Sequence, residues 1–157
     1  HGISPDRLIF ATRAPNERHL ARHSLADLFL DTLPYGAHTT ASDALWAGLP
    51  VLTCRGTSFP GRVASSLLTA IGLPEMIAEN LQAYERTALA LASDAAALRG
   101  IGRKLVANRM TFPLFDTDRY RRHFEAALTA IWRRTEDGLP PESFDVPPFP
   151  LAKQEAS

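Results

Sequence analysis

The sequence predicts an α/β protein built on a small parallel sheet, and three observations carry that reading. Short apolar runs recur at Leu8-Ile9-Phe10-Ala11, Leu28-Phe29-Leu30 and Val51-Leu52-Thr53-Cys54. Segments with helical periodicity separate them, which gives a βαβαβ alternation. The runs are apolar throughout instead of alternating, the pattern of strands covered on both faces.

The elements follow in order. His1 to Arg7 place Gly2 and Pro5 as they fall just after a helix, so the sequence is expected to begin inside a larger domain, with βα units upstream. An independent domain opening on an edge strand is the competing reading. The strand Leu8 to Ala11 leads into Thr12-Arg13-Ala14-Pro15, and Pro15 suits the first turn of a helix running to about His23. Next come the strand Leu28 to Leu30, a helix Thr39 to Ala47 and the strand Val51 to Cys54. A loop from Arg55 to Gly61 precedes a helix from Arg62 to Ile71, whose Val63, Leu67 and Ile71 share a face, and Gly72 ends it. Glu75 to Ala78 reads as a short edge strand. Leu81, Tyr84, Ala88 and Leu91 mark an amphipathic helix, and Asp94 caps another carrying Leu98, Ile101 and Leu105. Pro113 to Thr117 break the chain before a long helix with Tyr120, Phe124, Leu128 and Ile131 on one face and solvated Arg121, Arg122 and Glu125 on another. Leu45 and Trp46 read as core residues of their helix. Residues 1–137 thus read as the C-terminal portion of one domain whose first unit is expected upstream, and Pro140, Pro141, Pro147, Pro148 and Pro150 make 138–157 an extended or disordered tail.

Composition narrows the function classes. With 17 basic and 17 acidic residues in 157, the formal net charge is zero, so no global field favours nucleic acid or an anionic membrane. Cys54 stands alone, which excludes an intrachain disulfide, and a reducing cytoplasmic setting is expected. No run approaches the roughly 18 apolar residues of a membrane span, and no cluster has metal-ligand spacing.

Two segments carry candidate chemistry. His38-Thr39-Thr40-Ala41-Ser42-Asp43 opens a helix after a strand, where open α/β sheets bind ligands and where unpaired helix N–H groups suit phosphate. The simpler account makes Thr39 or Thr40 an ordinary N-cap with Asp43 complementing the helix dipole. Two threonines after a histidine exceed what one cap requires. After the preceding strand, His19 and Arg22 fall three apart on one helical face, and an imidazole with a guanidinium fork suits a nucleobase. The alternative is a partly exposed pair on a solvated helix.

The order Arg7-Leu8-Ile9-Phe10, Ala14-Pro15, His19-x-x-Arg22, Ala26 to Thr32, His38-Thr39-Thr40-x-x-Asp43, Leu45-Trp46-Ala47-Gly48-x-Pro50-Val51 and Arg62-Val63-Ala64 resembles the C-terminal catalytic region of the O-linked N-acetylglucosamine transferases. That family includes the plant SPINDLY-type proteins and bacterial homologues with tetratricopeptide repeats. The resemblance runs from about Arg7 to Trp132 and takes in Ser93-Asp94, Leu114 to Thr117 and Tyr120.

The resemblance implies a GT-B glycosyltransferase, whose Rossmann-like C-terminal domain holds a UDP-sugar and ends in closing helices. It places His38, Thr39 and Thr40 on the diphosphate, where they stabilise the leaving group, and Asp43 on ribose hydroxyls. His19 and Arg22 fall on the uracil, with the backbone of Ala14 at the base edge. Asn16 stands where some members carry lysine. Arg62 is a further candidate near the sugar or diphosphate, its alternative being a surface arginine. The implied reaction needs no metal or cofactor: UDP-N-acetylglucosamine gives its sugar, with inversion, to a protein serine or threonine. The acceptor domain, the phosphate-binding lysine and the base histidine are expected upstream, so this chain alone holds no catalytic residue and should not catalyse. The alternatives are fucose as the sugar, a related protein N-glucosyltransferase, or a non-catalytic scaffold.

Overall fold

The computed structural model describes residues 2–149. Three strands, β1 (Phe29–Leu30), β2 (Val51–Cys54) and β3 (Ile77–Ala78), form a parallel sheet in the order β1-β2-β3. Phe29 pairs with Val51 and Leu30 with Leu52, then Thr53 with Ile77 and Cys54 with Ala78. All four residues of β2 are buried, so both of its faces are covered. The cover comes from α2 (Thr39–Ala47), α3 (Val63–Ala70) and α4 (Leu81–Ser93), each packed on β2. Ala41, Leu45, Leu52, Leu68, Ile71, Met76 and Leu105 form the centre of the core. On α3 the fully buried residues are Ala64, Ser65 and Leu68, with Val63 and Leu67 at the margin, one step round from the expected face.

The helices begin where side chains satisfy their first N–H groups. Asn80 accepts from Ala83 N–H at 2.9 Å to start α4, and Asp94 accepts from Ala96 and Ala97 to start α5 (Ala95–Asn108). Asp116 accepts from Arg119 N–H at the start of α6 (Thr117–Glu136).

Two expectations are corrected. Leu8 to Ala11 form no strand: Ile9 is 90% and Phe10 88% exposed, and no described strand pairs with them. Apolar content alone does not make a strand, because its N–H and C=O groups need a neighbour's ladder. Trp46 is not a core residue. It is 44% exposed, edge-on to Phe115 at 5.1 Å with the Arg109 guanidinium over its ring, because it points away from the fully buried Leu45 beside it on the helix. The Tyr120, Phe124, Leu128 and Ile131 stripe of α6 is exposed as well.

The preceding helix, α1 (Asn16–Arg22), has Pro15 at its N-cap, and a 3-10 turn at His23–Leu25 finishes it. Residues 138–149 have no regular secondary structure and run back along α6, where Glu142 pairs with Arg134 and Phe149 N–H donates to His123 Nε2 at 3.2 Å. The rest of the expected tail, 150–157, lies outside the described residues. No helix among the described residues is long and apolar enough to cross a membrane.

Gly72 closes α3 at φ 75°, and a Cβ there would meet the Phe112 ring and, at 2.8 Å, Asn108 Nδ2. Gly138 has φ 67° with nothing within 4 Å of a built Cβ. Gly138→Ala should therefore cost only the left-handed backbone penalty of about 1–2 kcal/mol. Gly72→Ala should cost measurably more in urea unfolding, the excess reporting the clash.

Candidate functional site

Asp31 directly follows β1 and is 6% exposed. Its Oδ1 accepts from the N–H groups of Thr32 at 2.9 Å and Ala37 at 2.7 Å, and its Oδ2 accepts from the Thr53 hydroxyl at 2.7 Å. The Tyr84 hydroxyl on α4 donates to the Asp31 carbonyl at 2.7 Å. One carboxylate thus ties β1 to β2 and folds the loop 32–37 back onto the sheet. Gly36 N–H donates to Pro60 O at 3.2 Å, and a Cβ at Gly36 would stand 2.9 Å from that oxygen and 3.1 Å from Asp31 Oδ2. Only glycine allows so close an approach. Asp31 was not among the residues singled out from sequence; its signal was an acid closing an apolar strand.

From this anchored loop the chain enters α2. His38 takes the N-cap position with φ −113° and gives no side-chain cap, while Thr39 and Thr40 are exposed at the first two helical positions. The ordinary-cap account therefore does not describe this helix, and its opening N–H groups are left without a side-chain partner. The His38 ring is fixed from outside the helix. It stacks on Tyr35 at 5.2 Å, meets the edge of Phe59 at 6.0 Å, and its Nε2 lies 3.3 Å from Pro60 O. A carbonyl only accepts, so Nε2 carries a proton.

On α1, His19 and Arg22 line an open hollow of about 670 Å³ together with Arg13, Ala14, Pro15 and Asn16. Asp43, in the second turn of α2, has Oδ2 3.8 Å from His19 Nε2. The structure thus brings His19, Arg22, Ala14 and Asp43 together. The His38 loop packs instead on the Gly56–Gly61 loop, which closes on itself through Gly56 N–H to Gly61 O at 2.8 Å. Arg62 follows that loop, exposed; its N–H donates to Phe59 O at 3.0 Å, and its side chain has no hydrogen bond or ion pair to a described residue. Among the described residues no group of three or more His, Cys, Asp or Glu is placed to hold a metal ion.

A parallel sheet with an uncapped helix start and a histidine-lined hollow beyond the carboxyl ends of its strands belongs to the α/β class that binds ligands in that crevice. Residues 1–124 match glycosyl transferase family 41, and the chain belongs to that family. It is 39% identical over 92% of its length to the Arabidopsis thaliana protein described as "Probable UDP-N-acetylglucosamine–peptide N-acetylglucosaminyltransferase SEC". It is likewise 39% identical over 88% of its length to the Caenorhabditis elegans UDP-N-acetylglucosamine–peptide N-acetylglucosaminyltransferase. It covers 15% and 12% of those proteins respectively. A structure of a mutant Thermobaculum terrenum O-GlcNAc transferase superposes with a TM-score of 0.82 at 32% identity, over 87% of this chain and 26% of that one. The match bears out the expected Rossmann-like α/β fold of the GT-B kind.

Removing the Asp31 carboxylate strands two N–H groups and a hydroxyl, each costing about 1–3 kcal/mol when left unpaired and buried. Asp31→Ala should lower stability to urea by more than about 2 kcal/mol and accelerate hydrogen exchange at the Ala37 amide. Burial, with the Glu79 carboxylate adding to it, pushes the Cys54 thiol up, so little thiolate forms near neutral pH. Cys54 should resist iodoacetamide in the native chain and react once urea unfolds it.

Proposed function

We propose that this chain is the nucleotide-holding part of a protein glycosyltransferase, with UDP-N-acetylglucosamine as donor and a serine or threonine hydroxyl as acceptor. The observation that carries the reading is the start of α2, where Thr39 and Thr40 stand exposed at an uncapped helix N-terminus behind a ring-fixed His38. Sugar transfer leaves negative charge on the departing UDP. Helix amides, two hydroxyls and the positive end of the helix dipole meet that charge, and they need no reorganisation and no metal to do so. Asp43 supplies an acceptor for ribose hydroxyls, and the hollow at Ala14, His19 and Arg22 takes the base. The names of the Arabidopsis and Caenorhabditis relatives support the donor and a peptide acceptor. The attacking hydroxyl and its base come from outside these residues, and transfer proceeds with inversion. A cytoplasmic setting goes with the single unpaired, buried Cys54.

Titration calorimetry of UDP into this chain and into the His38→Ala, Asp43→Ala double variant tests the reading. Loss of hydrogen bonds to charged groups, at about 1.5–3 kcal/mol each, should weaken binding by at least tenfold. Equal binding by both, or none by the folded chain, would contradict it.

A further inference from the structure

Residues 138–149 leave α6 and double back along it as a strap fastened at two ends. At the near end Leu139 N–H donates to the Arg134 carbonyl at 3.0 Å, while the Arg134 side chain donates to the Pro140 carbonyl and pairs with Glu142. At the far end Arg119 donates to the Phe149 carbonyl. The Arg122 guanidinium lies 5.7 Å from the centre of the Phe149 ring, and His123 meets that ring edge-on at 4.7 Å.

His123 supplies the one far-end fastening that a proton can undo. Its Nδ1 lies 2.8 Å from the Arg119 carbonyl, which only accepts, so Nδ1 bears a proton. Its Nε2 accepts the Phe149 N–H at 3.2 Å, so Nε2 bears none. The strap therefore closes on a neutral imidazole. A second proton would turn Nε2 into a donor facing a donor and set an imidazolium among guanidinium groups. The nearby acids are committed elsewhere or stand in solvent. Asp118 pairs with Arg121 and Arg122, Asp116 accepts from the Arg119 N–H at the helix start, and on the strap Glu142 pairs with Arg134 while Asp145 is exposed. The guanidinium fastenings keep their charge throughout, since arginine does not deprotonate in proteins.

We infer that residues 138–149 form a proton-operated latch, closed on α6 while His123 is neutral and opened at its Phe149 end when His123 takes a second proton. Opening frees the far half of the strap and bares the face of α6 around His123. The latch rests on the geometry about His123 and owes nothing to the nucleotide reading.

NMR of the whole chain tests this in two ways. The first is the steady-state proton–nitrogen NOE of the Val146 and Phe149 amides at about pH 7.5 and about pH 5, a window that crosses the ordinary histidine value of about 6.5 and stays above the ordinary carboxylate values of about 3.9–4.3. In the wild type these amides should be as rigid as those of α6 at the higher pH and as mobile as a free terminus at the lower. His123→Gln, which offers an acceptor that does not titrate, should keep them rigid at both. His123→Phe, which keeps a ring and loses the acceptor, should leave them mobile at both. Equal wild-type values at the two pH values, or a fall in His123→Gln that matches the wild type, would overturn the latch. The second needs no variant to fold: long-range proton–nitrogen correlation of the wild-type imidazoles at about pH 7.5 should show an Nδ1–H ring with an NOE to the Phe149 amide. An Nε2–H ring beside that amide would overturn it too.

Discussion

The carboxylate of Asp31 is the constraint on which the rest of the structure depends. A buried carboxylate is costly unless donors surround it, and here three donors from three parts of the chain converge on its two oxygens. Thr53 brings in the central strand, and Thr32 and Ala37 bring in both ends of the loop that leads to α2. Through the Asp31 carbonyl, Tyr84 adds α4. The start of α2, where phosphate would bind, is therefore held by the sheet and needs no side-chain cap of its own. The cap position is occupied by His38, whose ring is committed elsewhere. A helix start anchored from behind and left open in front is what a site for an anionic ligand requires.

The remaining side chains of the site come from two further loops. Those before α1 and before α3 both reach the carboxyl edge of the sheet, and each settles one histidine. Pro60 and Phe59 orient His38 from one loop. Arg22, tied to Thr12 of the other, orients His19. Both rings are thus held in place by the protein, which is preorganisation in the sense that electrostatic catalysis needs.

Much of this was legible in the sequence, for physical reasons that differ by element. The helix Thr39 to Ala47 and the strand Val51 to Cys54 occur with the bounds their pattern gives, because strong local signals and tertiary burial agree there. His19 and Asp43 meet because α1 packs on α2, although the strand expected before α1 does not form. Leu8 to Ala11 went the other way, since a strand is a relation between segments and its composition does not name the partner. Asp31 was visible only as an acid at a strand end. Its importance lies in donors 1, 6 and 22 residues away, a convergence that no local pattern displays. The apolar stripe of α6 had the right period for a buried face and is exposed, because periodicity reports a face without saying what covers it.

The central claim is that the crevice beyond the carboxyl ends of the strands is the nucleotide site. A second hollow, of about 690 Å³, lies near the opposite ends of the strands, among His23, Leu28, Gly48, Pro50 and Leu98, and gives the claim a competitor. Backbone amide chemical shifts followed during a UDP titration decide between them most directly. The account predicts that the largest changes fall in Ala14 to Arg22 and His38 to Asp43. Changes centred on Leu28, Gly48 and Leu98, or a folded chain whose spectrum UDP leaves untouched, would contradict it.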